Sequence, residues 1–302
     1  MRVVVTGGKG FLGRYTVRAL EAKGHDVYAA TSGKYDLRKR LDCAALMADQ
    51  HPDAVVHLAA RVGGIGDNYE RPGIFVYENA VMGLELMEAA RKAGVEKFLT
   101  TGTACMYPAE ARIPMKEVDI WNGRPAFETV SYADAKRLVL AQGQAYQEQY
   151  DFNAIMVIPS NLYGPEDRST HVVPSLIRKF LYATQHNEDA VTLWGTGNAS
   201  RDFLYVEDAA EGIALALDHY EGYEPLNLGS GIEVPIFGLA RTTAAMMEYE
   251  GDIRWDITKP EGTRRRCLDT TKASQKIGWY AAVSLKDGLD RTINWQISGG
   301  EM

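Results

Sequence analysis

Arg2-Val3-Val4-Val5-Thr6-Gly7-Gly8-Lys9-Gly10-Phe11-Leu12-Gly13 is the stretch from which the rest of the chain can be read. Three consecutive valines make a short, wholly apolar run, the pattern of a strand buried on both faces. Residues 11–23 then follow with helical periodicity. Between the two stand Gly7, Gly10 and Gly13, at GxxGxxG spacing. The first glycine allows a tight turn, the second lets backbone approach a pyrophosphate, and the third lets helix and strand pack closely. Free N–H groups and the positive end of the helix then face the anion. A glycine-rich turn alone is a weak signal. Set between a first strand and an amphipathic helix, it favours a dinucleotide site over a purely structural turn.

Outward from this unit the rhythm repeats. Strands are predicted at residues 25–30, 54–58, 97–101 and 153–158, and helices at 38–50, 74–92 and 131–150. Fully apolar strands alternating with helices imply an α/β fold with a parallel sheet covered on both faces. Right-handed crossovers make that sheet doubly wound. A loop holding Pro108, Pro114 and Pro125 separates the fourth strand from the next helix. Beyond Pro159 strand signals shorten and loops lengthen, notably at 163–170 and 195–201. A helix at 207–219 is expected to pack on the first domain. Helices near 236–248 and 285–296 belong to a smaller α+β lobe. No repeat or linker separates the two. The expected division is residues 1–161 with 202–234 for the dinucleotide-binding domain, and 162–201 with 235–302 for the smaller, substrate-binding lobe.

The chain has 302 residues and a formal net charge of −7, with 46% hydrophobic and 24% charged residues. Lys and Arg are scattered, which argues against nucleic acid or an acidic membrane as partner. An anionic substrate must be gripped by a few local basic residues. The three cysteines, Cys43, Cys105 and Cys267, lie far apart with no CxxC pair. Cys43 and Cys267 read as reduced, buried thiols, and a reducing cytoplasm is the expected location. His25, His51, His186 and His219 have no partners at metal spacing, so no metal site is expected. No signal-peptide core precedes Val3, and no apolar run is long enough to span a bilayer.

The tip of the second strand, Tyr28-Ala29-Ala30-Thr31-Ser32-Gly33-Lys34, carries no carboxylate to meet a ribose 2′-hydroxyl. Ser32, Lys34 and Lys9 suit a 2′-phosphate instead, which favours NADPH over NAD; solvated surface lysines are the plain alternative. Tyr132 and Lys136 stand four apart on one helix face. A neighbouring ammonium is expected to stabilise the phenolate and lower its pKa. Tyr132 can then pass a proton to a carbonyl oxygen as hydride reaches carbon. Such pairs are common on surfaces. This one follows a fourth strand that ends in Thr101-Gly102-Thr103, where Thr103 can bond the same carbonyl.

The loop, the Thr103/Tyr132/Lys136 trio and the strand order resemble the extended short-chain dehydrogenase/reductase family over nearly the whole chain. The resemblance implies a Rossmann domain and a smaller nucleotide-sugar lobe, usually in a homodimer. His57-Leu58-Ala59-Ala60 resembles the third-strand motif at the cofactor, and Asn79 the helix asparagine that supports the site. Pro159-Ser160-Asn161-Leu162-Tyr163-Gly164-Pro165 resembles the crossover into the substrate lobe. Arg201-Asp202-Phe203-Leu204-Tyr205-Val206-Glu207-Asp208 resembles the segment whose arginine meets a substrate phosphate. The implied cofactor contacts are Gly7, Gly8, Lys9, Gly10, Phe11, Leu12, Gly13, Ser32, Lys34, Asp36, Leu37, Leu58, Ala59, Ala60, Asn79, Thr101, Tyr132, Lys136, Pro159, Asn161, Leu162 and His171. The implied substrate contacts are Asn161, Val172, Lys179, Trp194, Arg201 and Arg266.

Further segments are similar to the GDP-L-fucose synthases within that family. They are Val62-Gly63-Gly64-Ile65, Cys105-Met106-Tyr107-Pro108, Thr170-His171-Val172-Val173-Pro174 opening a helix that ends in Arg178-Lys179, Trp194-Gly195-Thr196-Gly197, and Lys259-Pro260-Glu261-Gly262-Thr263. This implies NADPH-dependent 3,5-epimerisation and 4-reduction of GDP-4-keto-6-deoxymannose, with Cys105 and His171 serving the inversion. Protons beside a 4-keto group are acidic, and inversion needs one group to remove a proton and another to return it on the opposite face. A thiolate and a histidine can do so near neutral pH. By themselves Cys105 reads as a small buried filler and His171 as a helix-start or core histidine. Likewise Lys179, Arg201 and Arg264-Arg265-Arg266 suit either a diphosphate or a solvated face, and Trp194 either a stacked base or the core. Thr103 stands where that group usually has serine, Gly8-Lys9 replaces a His-Arg pair, and residues 127–131 differ. A related 4-keto sugar, including a heptose, or another base stays open. So do a single-activity reductase or epimerase and, more remotely, a non-catalytic NADP-binding regulator.

Overall fold

Val3, Val4 and Val5 are fully buried in β1 (Arg2–Thr6), the centre of the fold. The computed structural model describes residues 1–259 and 261–299; Pro260, within the quoted 259–263 segment, lies outside the described residues. After β1 come α1 (Phe11–Ala22), β2 (Asp26–Ala30), α2 (Arg40–Gln50), β3 (Ala54–His57), α3 (Ile65–Glu70), α4 (Pro72–Lys92), β4 (Lys97–Thr101), α5 (Val130–Tyr150) and β5 (Asn153–Pro159). The chain continues with β6 (Asn161–Tyr163), α6 (Val172–His186), β7 (Ala190–Trp194), β8 (Ser200–Tyr205), α7 (Val206–His219) and β9 (Leu226–Leu228). It closes with β10 (Glu233–Pro235), α8 (Ile236–Met246), β11 (Asp252–Asp256), β12 (Arg265–Arg266), α9 (Thr271–Ile277) and α10 (Leu285–Ile297).

Six parallel strands form the main sheet in the order β2-β1-β3-β4-β5-β9. The order reverses between β1 and β3, and the crevice beyond the carboxyl ends of those strands is where such sheets bind ligands. Side-chain alternation along the strands explains the two covered faces. Val4, Val55, Phe98 and Met156 point to a core with Leu46, Leu86 and Val139 of α2, α4 and α5. Val3, Val5, Val56, Leu99 and Val157 point the other way, to Leu20 of α1 and Ile213 of α7.

Ser160 alone separates β5 from β6, so the chain steps directly from the large sheet to a second one. There β8 pairs with β10, β12 and β6, and β7 pairs with β11 in a separate ribbon. Phe180, Leu193, Phe203, Leu239 and Ile293 fill the core of this part. The described residues contain no helix long and apolar enough to cross a membrane.

Local chemistry moves several expected boundaries. α2 begins at Arg40 rather than 38 because a turn precedes it, with the Asp36 N–H donating to the Asp42 carboxylate and the Lys39 N–H to the Asp36 carbonyl. α4 begins at Pro72, whose missing N–H costs nothing in a first turn. The short α3 before it was unread, since Gly63, Gly64 and Gly66 interrupt the periodicity. β3 stops at His57. α6 runs past Arg178-Lys179 to His186 and ends where Asn187 turns left-handed.

Candidate functional site

The glycine turn is built by contact as much as by torsion. Gly7 has φ +70, and a Cβ there would lie 2.8 Å from the Ala59 nitrogen. A Cβ on Gly13 would lie 2.0 Å from the Gly7 carbonyl oxygen, so α1 meets the turn only because no side chain intervenes. Gly10 is exposed, and its N–H donates to the Gly7 carbonyl at 2.9 Å. Thr6 Oγ1 lies 2.8 Å from His57 Nδ1 and accepts a 3.5 Å bond from the Ala59 N–H. The Leu58-Ala59-Ala60 backbone is thereby held against the turn. Asn79 fixes the next residue, accepting from the Arg61 N–H and donating to the Arg61 and Phe75 carbonyls.

At the β2 tip Ser32, Lys34 and, across the turn, Lys9 are exposed. Lys34 Nζ stands 4.8 Å from the Tyr35 ring centre and 3.6 Å from Asp49. Asp36 takes two bonds from the Arg38 guanidinium, which also reaches Glu78 at 2.9 Å. Hydrogen bonding to Arg38 holds the Asp36 carboxyl down to about 2. Leu37 is buried beneath them, its carbonyl accepting from the Cys43 thiol. Burial pushes the Cys43 and Cys267 thiols up to about 12 each.

Buried Thr101 ends β4, and Thr103 caps the turn at Ala104–Met106, its hydroxyl oxygen accepting from the Cys105 N–H at 3.2 Å. One turn of α5 separates Tyr132 from Lys136, whose Nζ is 6.0 Å from the tyrosine ring centre. Lys136 is 2% exposed and, among the described residues, has no hydrogen bond or ion pair. Burial brings its pKa down to about 8. Burial first, then the Lys136 charge, pushes His57 down to about 3, so that imidazole is neutral. The expected lowering of Tyr132 by Lys136 does not occur. Burial, followed by the neighbouring Cys105 sulfur, pushes the phenol above its ordinary value.

Arg266 was expected on the diphosphate; its Nη1 instead donates to Cys105 Sγ at 3.0 Å, while Nη2 donates to Thr263 Oγ1. Burial alone would lift the Cys105 thiol. The Arg266 charge and its hydrogen bond, with the nearby Thr103 and Thr129 hydroxyls, outweigh it and bring the thiol below its ordinary value. His171 is not brought to this cluster. It is exposed at the N-cap of α6, its N–H donating to Ser169 Oγ, and among the described residues no hydrogen bond joins it to Cys105 or Tyr132.

On the lobe side, β8 and β12 set Arg201 opposite Arg266. Burial, then the like charge of Arg266, lowers Arg201 to about 10. Arg265 turns away to Glu233, and Arg264 is exposed. Lys179 donates to the Thr192 carbonyl at 2.7 Å. Trp194 is 58% exposed with Lys259 6.0 Å from its ring, which removes the core-filler reading. Asn161 donates to the Asp202 carbonyl at 2.8 Å, and Val172 is the half-buried first residue of α6. Asp202 carries no local sequence signal for its role. Its buried carboxylate accepts from Ser160 Oγ, Ser230 N and Oγ, Gly231 N and Leu268 N, and so ties together the segments that carry both arginines.

Residues 3–229 match the NAD dependent epimerase/dehydratase family. The chain is 38% identical to a probable GDP-L-fucose synthase 1 of Oryza sativa subsp. japonica, over 98% of this chain and 92% of that protein. It is 37% identical to a GDP-L-fucose synthase of Sinorhizobium fredii, over 98% of this chain and 96% of that one. A solved GDP-L-fucose synthetase from Naegleria fowleri, bound to NADP, superimposes with a TM-score of 0.89 at 26% identity, over 98% of this chain and 92% of that one. The glycine turn against Ala59, the Tyr132/Lys136 pair on α5 and these full-length likenesses agree: the chain belongs to the NAD dependent epimerase/dehydratase family.

Proposed function

We propose that the protein is an NADPH-dependent enzyme that epimerises and reduces a GDP-4-keto sugar, with GDP-4-keto-6-deoxymannose as substrate and GDP-L-fucose as product. The observation that carries this reading is an acid and a base side by side. Tyr132 is kept protonated, and Cys105, whose charge it feels, is drawn toward thiolate. A reductase alone needs the first; inversion beside a ketone needs the second.

The residues at the carboxyl ends of β1 and β3 suit a dinucleotide. The turn at Gly7, Gly10 and Gly13 is free of side chains, and among the described residues buried Lys136 makes no hydrogen bond or ion pair. Gly7 to Gly13 would hold the pyrophosphate, Ser32, Lys34 and Lys9 the 2′-phosphate, and Tyr132 and Lys136 the nicotinamide ribose. When bound, NADPH supplies the hydride. Cys105 takes a proton from the carbon beside the ketone, and the electron pair passes to the ketone oxygen. Thr103 and Tyr132 donate hydrogen bonds to that oxygen. His171, at the N-cap of α6, is the group taken to return a proton on the opposite face. Tyr132 gives its proton to the oxygen in the reduction. Arg201 and Lys179 grip the diphosphate, and Trp194 stacks on the base.

The same reading takes residues 1–161 with 202–234 as the cofactor part and 162–201 with 235–302 as the substrate part. It places the enzyme in the cytoplasm as a homodimer. Mixing the protein with NADPH and GDP-4-keto-6-deoxymannose tests the activity through the loss of reduced-cofactor absorbance. Turnover is expected. Binding of NADPH without turnover would move the search to other keto-sugar nucleotides.

A further inference from the structure

We infer that Arg266 is the positioning residue that holds Cys105 as a thiolate in the resting enzyme. This deepens the proposed function and rests on its reading of Cys105 as the epimerisation base. Arg266 Nη1 reaches the sulfur at 3.0 Å, and its second nitrogen is anchored on Thr263 Oγ1 at 3.0 Å, so the guanidinium is aimed from both ends. The β12–β8 pairing sets its backbone across from Arg201. Its neighbour Arg265 is neutralised by Glu233. Among the described residues no carboxylate pairs with Arg266, so the sulfur is the anion nearest its charge.

The groups facing Cys105 from each surrounding element are few. Arg266 stands on β12, Arg201 on β8 and the Tyr132 phenol on α5, and the Thr103 and Thr129 hydroxyls flank the sulfur. Among the described residues, Arg266 and Arg201 are cations, the phenol is neutral, and Glu261, the carboxylate that acts on Arg201, is engaged by Thr196 Oγ1 and the Ala199 N–H. A thiolate is therefore favoured, and the thiol proton has left to solvent before substrate arrives. In the reaction the thiolate forms an S–H bond with the substrate proton as the C–H bond breaks and its electron pair moves to the ketone oxygen. The thiol later returns that proton to solvent, and Arg266 restores the anion.

The test is the rate of Cys105 alkylation by iodoacetamide across pH, located by peptide mass spectrometry, in the full-length protein without substrate. Buried Cys43 and Cys267 serve as unreactive internal references. In Arg266→Met the rate at neutral pH is expected to fall about tenfold or more, converging with the parent at alkaline pH. Arg266→Lys should recover part of the loss, and Arg265→Met should leave the profile in place. Arg266→Gln carries the test if the methionine variant fails to fold. Superimposed profiles for the parent and both neutral Arg266 variants would overturn the inference. Its failure is separable from that of the function. Inversion that survives Cys105→Ser removes the base but leaves the thiolate pair, whereas an unchanged profile removes the pair but leaves the base.

Discussion

Replacing Lys136 with methionine removes a cation that the fold holds against its own interest. The side chain is 2% exposed, and burial lowers its pKa from the usual 10.5 to about 8. Below about pH 8 both folded and unfolded chains carry the charge, and only the folded one bears its desolvation. Between about 8 and 10.5 the folded protein loses the proton first, so stability rises with pH. Above 10.5 neither state is charged and the penalty is gone. The gap corresponds to about 3 kcal/mol. Lys136→Met should therefore unfold about 5 °C higher than the parent at neutral pH, taking an unfolding entropy of about 2.1 cal/mol/K per residue over the 302 residues. The advantage should vanish near pH 10.5, while turnover collapses at every pH. Thermal unfolding of the cofactor-free protein at the two pH values reads both effects. A variant that is no more stable at neutral pH, or equally favoured at both, would refute the claim that this ammonium sits unpaired in low dielectric.

Tyr132→Phe should lower kcat by about 100- to 10,000-fold with NADPH affinity nearly unchanged, as read by steady-state kinetics and fluorescence titration; retained turnover would remove the acid assignment. Gly13→Ala puts a methyl 2.0 Å from the Gly7 oxygen, so the turn and α1 must part. NADPH binding should weaken at least about tenfold, by the same titration, and an unchanged Kd would show that the packing is not needed. Asp202→Asn turns an amide toward the Gly231 and Leu268 N–H donors, leaving two orphans. A loss of about 2–4 kcal/mol is expected in urea unfolding, and parent-like stability would contradict it.

Five of the six strands of the large sheet were legible, most plainly where consecutive residues are buried, as at Val3 to Val5 and Ala54 to Val56; the three-residue edge strand β9 (Leu226–Leu228) was too short to be recognised. The small sheet was not legible. β12 is two arginines, and its pairing with β8 is a tertiary fact with no local period. Within the site, Tyr132 and Lys136 were readable from helical spacing. The ionisation of Tyr132 was not, since burial and a sulfur from another segment decide it rather than the lysine one turn away. The Arg266 contact with Cys105 spans 161 positions, and a run of three arginines looks like a solvated face until the fold separates them. His171, read from a motif, stands exposed at the start of α6, outside the hydrogen-bonded cluster that the fold assembles around Cys105.

The most direct test of the central claim is NMR of the sugar product formed from GDP-4-keto-6-deoxymannose and NADPH in deuterated water. The account expects GDP-L-fucose carrying solvent deuterium at C3 and C5, because each inversion exchanges a carbon-bound proton through Cys105. A C4-reduced sugar with both centres retained and no deuterium would contradict it, leaving Tyr132, Thr103 and Lys136 as the machinery of a simple reductase.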